Sequence, residues 1–284
     1  MGGIGAFLVG FVVLGAVFCV VERRWPARTP TPLLQRRRLL DLAYWTLGQT
    51  AGKWIAEGVT WVALLGAVLL LRIPLHDFDT WMANRSFFGH LPWLLQVPLA
   101  LLIFDFLGYW QHRLMHGTRL FRLHAIHHSA RSLDWLSAAR NHPLAEAFGR
   151  VWSIVPILYL GIDPRIVAPL VPFIGLWGLF LHANVGFRLH ALRYIVATPH
   201  FHRWHHAAER GALGKNFAGL FPVWDLLFGT FYLPERRPMF FGLIEDDPEE
   251  RLPETFVGQM LYPFRKRRTA AMASASKTGY SPTA

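Results

Sequence analysis

Residues 105–128 read DFLGYWQHRLMHGTRLFRLHAIHH, five histidines gathered within a few residues of the end of a long apolar segment. A second cluster, HFHRWHH at residues 200–206, repeats the H-x-x-H-H spacing of His124, His127 and His128 in His202, His205 and His206. An α-helix turns about 100° per residue, so Asp105, Tyr109, His112 and His116 fall on one narrow face, two imidazoles with a carboxylate behind them. Each triplet likewise presents its imidazoles on a shared face. Neutral imidazole is a ligand for Zn, Cu, Fe or Ni, and spacings of three and four let adjacent rings converge on one ion or two. Eight or more histidines oversupply a single four-coordinate zinc, so two metals are the natural count.

Composition says where such a site would sit. Of the 284 residues 53% are apolar and 17% charged, and the mean hydropathy is positive, the profile of an integral membrane protein. The formal charge of +11 then belongs to loops on one side of a bilayer rather than to nucleic-acid binding. The single cysteine, Cys19, lies inside the first apolar run, which excludes an intrachain disulfide, an iron–sulfur cluster built from this chain alone and a cysteine-based zinc site. Any metal is left to histidine or carboxylate. Neither H-E-x-x-H nor the Glu-x-x-His pairs of soluble di-iron bundles occur, so zincin proteolysis and that bundle chemistry are both set aside.

Ile4 to Val21 is an unbroken apolar run, long enough to span, and it is followed rather than preceded by arginines (Arg23, Arg24, Arg28, Arg36, Arg37, Arg38). By the positive-inside rule its N-terminus is outside. A second span, loosely begun where Lys53 and Glu57 stand four apart, is strongly apolar from Val59 to Leu71. The loop from Arg72 to His90 is poor in arginine, as suits the outer side. Leu91 to Trp110 returns inward, broken by Pro92 and Pro98, and Gln111 to His142 is again arginine-rich. Val151 to Leu181, split by Gly161, Asp163 and Pro164, reads as a tilted or re-entrant helical hairpin that ends at His182. Beyond it no segment is long enough to cross. The tail after Tyr262, with RKRR at 265–268, reads as disordered and attracted to anionic lipid.

The fold expected is therefore all-α, an integral membrane bundle of about three full spans plus a hairpin, with a cytoplasmic helical lobe holding a histidine-rich di-metal site. Three parts are expected: anchor helices over residues 1–90, a catalytic domain over 91–235 and a C-terminal cytoplasmic segment over 236–284. The location is a multi-pass one in an inner or plasma membrane, with the site on the cytoplasmic side.

The motifs DFLGYWQHRLMH, LHAIHHS, RNHP, LHAN, TPHFHRWHH and NFAGLFPVWDLLFGTFY, in this order over roughly Leu91 to Leu233, resemble the fatty acid hydroxylase/sterol desaturase superfamily of membrane di-iron enzymes. The resemblance implies an O₂-dependent oxidoreductase that hydroxylates or desaturates a lipid C–H position at two histidine-bound irons. Carried over by match, His112, His116, His124, His127, His128, His202, His205 and His206 are the eight motif ligands. His182, at the end of the penultimate apolar run, and His142, in the sterol-type H-P element, are two further ligands. The acid that usually follows that element is displaced here to Glu146, and Gly186 stands where α-hydroxylases place another histidine, which favours the sterol-desaturase branch. Asp105 is expensive in an apolar helix and is expected behind a ligand imidazole, accepting its N–H and fixing its tautomer; Asn216 and Asp225 are expected to act alike. His76, His90, His190 and His200 read as structural or surface residues, and Trp224 and Phe228 as packing. The chain has no Rossmann glycine fingerprint and no haem-binding domain, so electrons come from a separate reductase with a ferredoxin or cytochrome b5-like carrier. Two other classes stay open, a membrane metal-ion transporter and a membrane protein with a structural zinc.

Overall fold

Four helical stretches among the described residues are long and apolar enough to cross a membrane: Gly5–Arg24, Arg38–Leu70, Leu94–Gly117 and Arg165–His182. The structure is a computed structural model and describes residues 2–30, 36–70, 72–77, 80, 88–244 and 251–265. The basic tail after Arg265 and part of the loop between residues 72 and 90 lie outside the described residues. Strand structure among those described is confined to two isolated bridges, Pro26 with Val185 and Ala207 with Phe241, so the all-helical expectation holds.

Helix α1 (Gly2–Arg24) ends in Arg23 and Arg24, cations that complement the negative end of its dipole. The second span differs from its expected Val59 start. It runs on from α2 (Arg36–Ala43) through a π-helical stretch (Tyr44–Gly52) into α3 (Lys53–Leu70). Within the π stretch the hydroxyls of Thr46 and Thr50 bond back to the carbonyls of Leu42 and Thr46 at 2.9 and 2.7 Å. The widened turn brings consecutive Tyr44 and Trp45 to the protein interior, where Tyr44 Oη donates to Gln259 Oε1 at 2.6 Å and Trp45 Nε1 to the Leu136 carbonyl at 3.0 Å. Lys53 and Glu57 do pair, at 3.8 Å.

Helix α4 (Trp93–Gly117) carries Pro98 and delivers His112 and His116 to the site, followed by the short α5 (Phe121–His124). The hairpin is formed by α6 (Pro143–Tyr159), α7 (Pro164–Val167) and α8 (Leu170–His182). Its first arm starts at Pro143 rather than Val151, because proline at a helix start loses no hydrogen bond. It turns at Gly161, whose φ of 72° is left-handed, and Asp163 Oδ1 takes the Arg165 N–H at 2.8 Å. After His182 only short helices follow among the described residues: α9 (Pro199–His205), α10 (Val223–Leu227) and α11 (Phe256–Leu261). Thr198 caps α9 by accepting the Phe201 N–H at 3.2 Å, with Pro199 in the first turn.

Side chains such as Val9, Val12, Val20, Trp61, Val62, Leu69 and Leu94 are exposed along the spanning helices. Apolar side chains facing outward along whole helices are the surface a bilayer requires. The interior is split: one core joins Phe18, Tyr44 and Trp45 to Ile126, Trp135 and Leu136, so the N-terminal helices share packing with the histidine lobe. A second gathers Tyr109, Leu181, Phe201 and Phe217 under the histidines.

Candidate metal centre

Nine of the ten histidines carried as ligands come together, in two sets. His112, His116, His124, His128 and His205 each place one ring nitrogen within 4.8 Å of all the others, and His127, His182, His202 and His206 do the same. The H-x-x-H-H triplets do not each serve one ion, as a shared face suggested; each is divided. Residues i and i+4 lie about 40° apart on a helix while i+3 lies about 60° to the other side. So His202 and His206 go to the second set and His205 to the first, and the same division, His124 and His128 to the first and His127 to the second, is kept across the end of α5 and the 3₁₀ turn that begins at His127. The two sets are adjacent: the rings of His128 and His206 stack across the divide with centroids 4.4 Å apart.

What orients the rings is main-chain carbonyl oxygen. Nδ1 of His112 donates to Phe217 O at 2.8 Å, His127 to Arg140 O at 3.1 Å, His182 to Gly178 O at 2.8 Å and His205 to Lys215 O at 2.8 Å. A carbonyl only accepts, so in each of these neutral rings the proton is fixed on Nδ1 and the lone pair on Nε2. Nε2 of His182 then faces Nε2 of His127 at 3.1 Å, two acceptors with no proton between them. Nε2 of His116 and of His205 are buried with no hydrogen-bond partner. Converging lone pairs need a cation; ligand nitrogens at about 2.1 Å from one ion are up to about 4.2 Å apart, so the widest pairs of each set, held within 4.8 Å, draw in only slightly around one. The donor set therefore fits two metal ions. Burial, and then the neighbouring imidazoles, hold His124, His127, His128, His202, His205 and His206 well below the usual imidazole range, which keeps them neutral and ligand-ready.

A cavity of about 400 Å³ lies between α4, α6 and α8 and opens onto both sets through His112, His124, His127, His182 and His202. Leu101, Phe104, Ile174, Trp177, Leu181 and Leu220 are among its apolar lining, and Gln111, Asn141 and Glu146 among its polar lining. Glu146 is paired with Arg150, which also approaches Glu57 at 3.9 Å.

His142 lies outside both sets. Its Nε2 donates to Met260 O and its Nδ1 accepts the Leu144 N–H, each at 3.1 Å, so both nitrogens are occupied by backbone and none is left for a metal. Its role is to tie the start of α6 to α11. Asp105 does not touch an imidazole either. Its carboxylate accepts Leu220 N–H and Phe221 N–H at 2.8 Å and Trp224 Nε1–H at 3.0 Å. Asp225 accepts Phe217 N–H and Ala218 N–H at 2.8 Å and the Thr230 hydroxyl at 2.6 Å. Asn216, at φ 60°, donates to Phe201 O and Tyr232 O and accepts Tyr232 N–H. All three thus fix the 215–232 loop, and that loop supplies the carbonyls that hold His112 and His205. They stand one hydrogen bond further from the imidazoles than expected.

Several buried groups escaped the sequence reading. Glu22 accepts the N–H groups of Trp135 and Asn184 at 2.9 Å, Arg38 meets Asp134 at 3.1 Å, and Asp41 meets Arg140 at 2.5 Å. Arg203, between His202 and His205 in sequence, donates to Leu133 O, Ala183 O and Asn184 Oδ1, and burial lowers its pKa to about 10. The signal was present in part: Glu22 and Asp41 are lone acids in an arginine-rich stretch. His200 bonds to Pro234 O at 3.3 Å.

The fatty acid hydroxylase family model matches residues 97–230, which contain all nine converging histidines. Ornithine lipid hydroxylase OlsE of Rhizobium tropici is 32% identical over 273 residues, 92% of this chain and 76% of that protein. Alkylglycerol monooxygenase of Homo sapiens is 34% identical over 229 residues, 75% of this chain and 49% of its own length. Delta(7)-sterol 5(6)-desaturase erg31 of Schizosaccharomyces pombe is 25% identical over 191 residues, 63% and 59% respectively. The chain thus spans about three quarters of the first relative but only about half of the others. No solved structure matches it.

Proposed function

Because the chain belongs to the fatty acid hydroxylase/sterol desaturase superfamily, we propose that it is a membrane oxidoreductase that uses two irons and O₂ to hydroxylate or desaturate a C–H position of a lipid. The observation that carries this is the opening of an apolar cavity, among helices long enough to span a membrane, onto both histidine sets at once. A structural zinc site is closed by its ligands, whereas these sets face a space of substrate size. A transporter would line a path through mid-span with its ligands, whereas here His112, His116 and His182 sit at helix ends and the other six beyond them.

In this reading the nine histidines hold the metals and His142 does not. Iron, when bound, supplies the reduction of O₂ that makes an unactivated C–H bond oxidisable. The chain's residues do the rest. Backbone carbonyls at Phe217, Arg140, Gly178 and Lys215 keep the Nδ1 protons in place and the Nε2 lone pairs inward. Leu101, Phe104, Ile174 and Trp177 exclude water and hold an apolar chain against the site. Gln111, Asn141 and Glu146 meet the polar part of the lipid. A hydroxylated ornithine lipid and an oxidised alkylglycerol, as the relatives' names describe, both combine an apolar chain with a polar group, as this cavity would require. The catalytic unit comprises residues 91–235. Its active face is cytoplasmic, where arginines gather, and a separate reductase with a ferredoxin or cytochrome b5-like carrier brings electrons there.

Lipid profiling of cells with and without the gene, grown with and without oxygen, tests the proposal. A hydroxyl or double bond that appears only with both gene and oxygen is expected. Identical lipids under all four conditions, with the protein present in the membrane, would refute it.

A further inference from the structure

A second cavity, of about 260 Å³, reaches the metal centre from another direction. It is lined by His116, His128 and His205, none of which lines the lipid-sized cavity, and all three belong to the five-histidine set. The four-histidine set contributes nothing to it. Its outer wall is the turn that follows α9, with Arg210, Leu213 and Gly214 exposed. Gly214 has a φ of 67°, and a Cβ there would meet nothing within 4 Å, so the mouth is open at that point. None of its described lining residues is acidic. Of the two carboxylates that adjoin lining residues along the chain, Glu209 is engaged by Arg236 at 2.6 Å and by the Met239 N–H at 2.6 Å, and Glu245, next to Ile244, lies outside the described residues.

We infer that this cavity is an aqueous vestibule through which small water-soluble anions reach the five-histidine half of the centre without entering the lipid cavity. The inference rests on the two-set reading of the metal centre. Arg210 at the rim and a cation held by three lining imidazoles make the space attractive to anions. The two halves of the centre are then unequal: one is open to both cavities, the other only to the lipid side.

Azide is the probe, and the full chain loaded with Co(II) is the sample, because the visible spectrum of cobalt reports a bound anion whatever metal is native. The spectrum is expected to change with saturation at one azide per chain. Leu213→Trp, which narrows the mouth, should slow azide association by at least about tenfold, while Ile174→Trp in the lipid cavity should leave it unchanged. Should Leu213→Trp not fold, Leu213→Cys in a Cys19→Ser background is measured before and after modification by a bulky charged maleimide, and modification should give the same slowing. Slowing by Ile174→Trp alone, or the absence of any azide signal, would overturn the vestibule. These results are separable from the proposed reaction. A native zinc with no oxygen chemistry would sink the oxidoreductase and leave the azide result standing, while azide entering through the lipid cavity would do the reverse.

Discussion

Asp225→Asn is a change in a residue that touches no ligand, yet it should weaken one half of the metal centre. The carboxylate is fully buried and receives three donors, Phe217 N–H, Ala218 N–H and the Thr230 hydroxyl, at 2.8, 2.8 and 2.6 Å. An amide keeps one accepting oxygen and turns its NH₂ toward donors, so at least one buried N–H loses its acceptor and the rest lose the charge. Hydrogen bonds to charged groups contribute about 1.5–3 kcal/mol each, which puts the cost at about 3 kcal/mol. The Phe217 carbonyl is the acceptor that holds His112 Nδ1 at 2.8 Å, so part of that cost appears as misplacement of a ligand. If about half does, affinity of the five-histidine set falls about tenfold, since about 1.4 kcal/mol is a decade, at the low end of the range for changes just behind a ligand. Competition titration against a chelator, resolved into two binding steps, reads this. One step should weaken and the other stay within about twofold. Equal weakening of both steps, or no change in a folded protein, would refute the chain of contacts from Asp225 through Phe217 to His112.

His142→Ala should leave both metals bound, with the loss showing only as a lower melting temperature; loss of one metal per chain would return His142 to the ligand set. The pH dependence follows from the eight histidines outside the spanning helices whose pKa values burial depresses, six from the two sets together with His142 and His200. Their unfolded pKa is about 6.5, so below it the unfolded chain takes up protons the folded chain refuses, and stability is lost by up to about 1.4 kcal/mol per histidine per pH unit. The metal-free protein should therefore melt progressively lower as pH falls from about 7.5 to about 5.5, and a flat profile would contradict neutral, buried imidazoles.

The spans were legible because a bilayer imposes a length and an apolar surface that a linear reading detects, and the hairpin was legible because Gly161 and Asp163 interrupt it. The second span's true start was not, since the π turn at Tyr44–Gly52 lets a helix continue through Thr46, Gly48 and Thr50 where the sequence looks unsuited to one. The converging histidines were legible because imidazoles repeat at helical spacing. What supports them was not, because the supports are carbonyls of Gly178, Lys215, Phe217 and Arg140, and every residue has a carbonyl. Asp105 was singled out as a costly acid in an apolar helix and Asp225 by its motif position, and the partners of both lie in a loop whose path no spacing rule gives. His142 shows the converse: a histidine in a recognised motif whose two nitrogens the backbone consumes.

Metal analysis of the full chain, purified in detergent without added metal or chelator, tests the central claim most directly. Two irons per chain are expected, both lost when His127 and His128 are replaced together, because each belongs to a different set. A single tightly held zinc per chain, unaffected by substitution in one of the two sets, would contradict it.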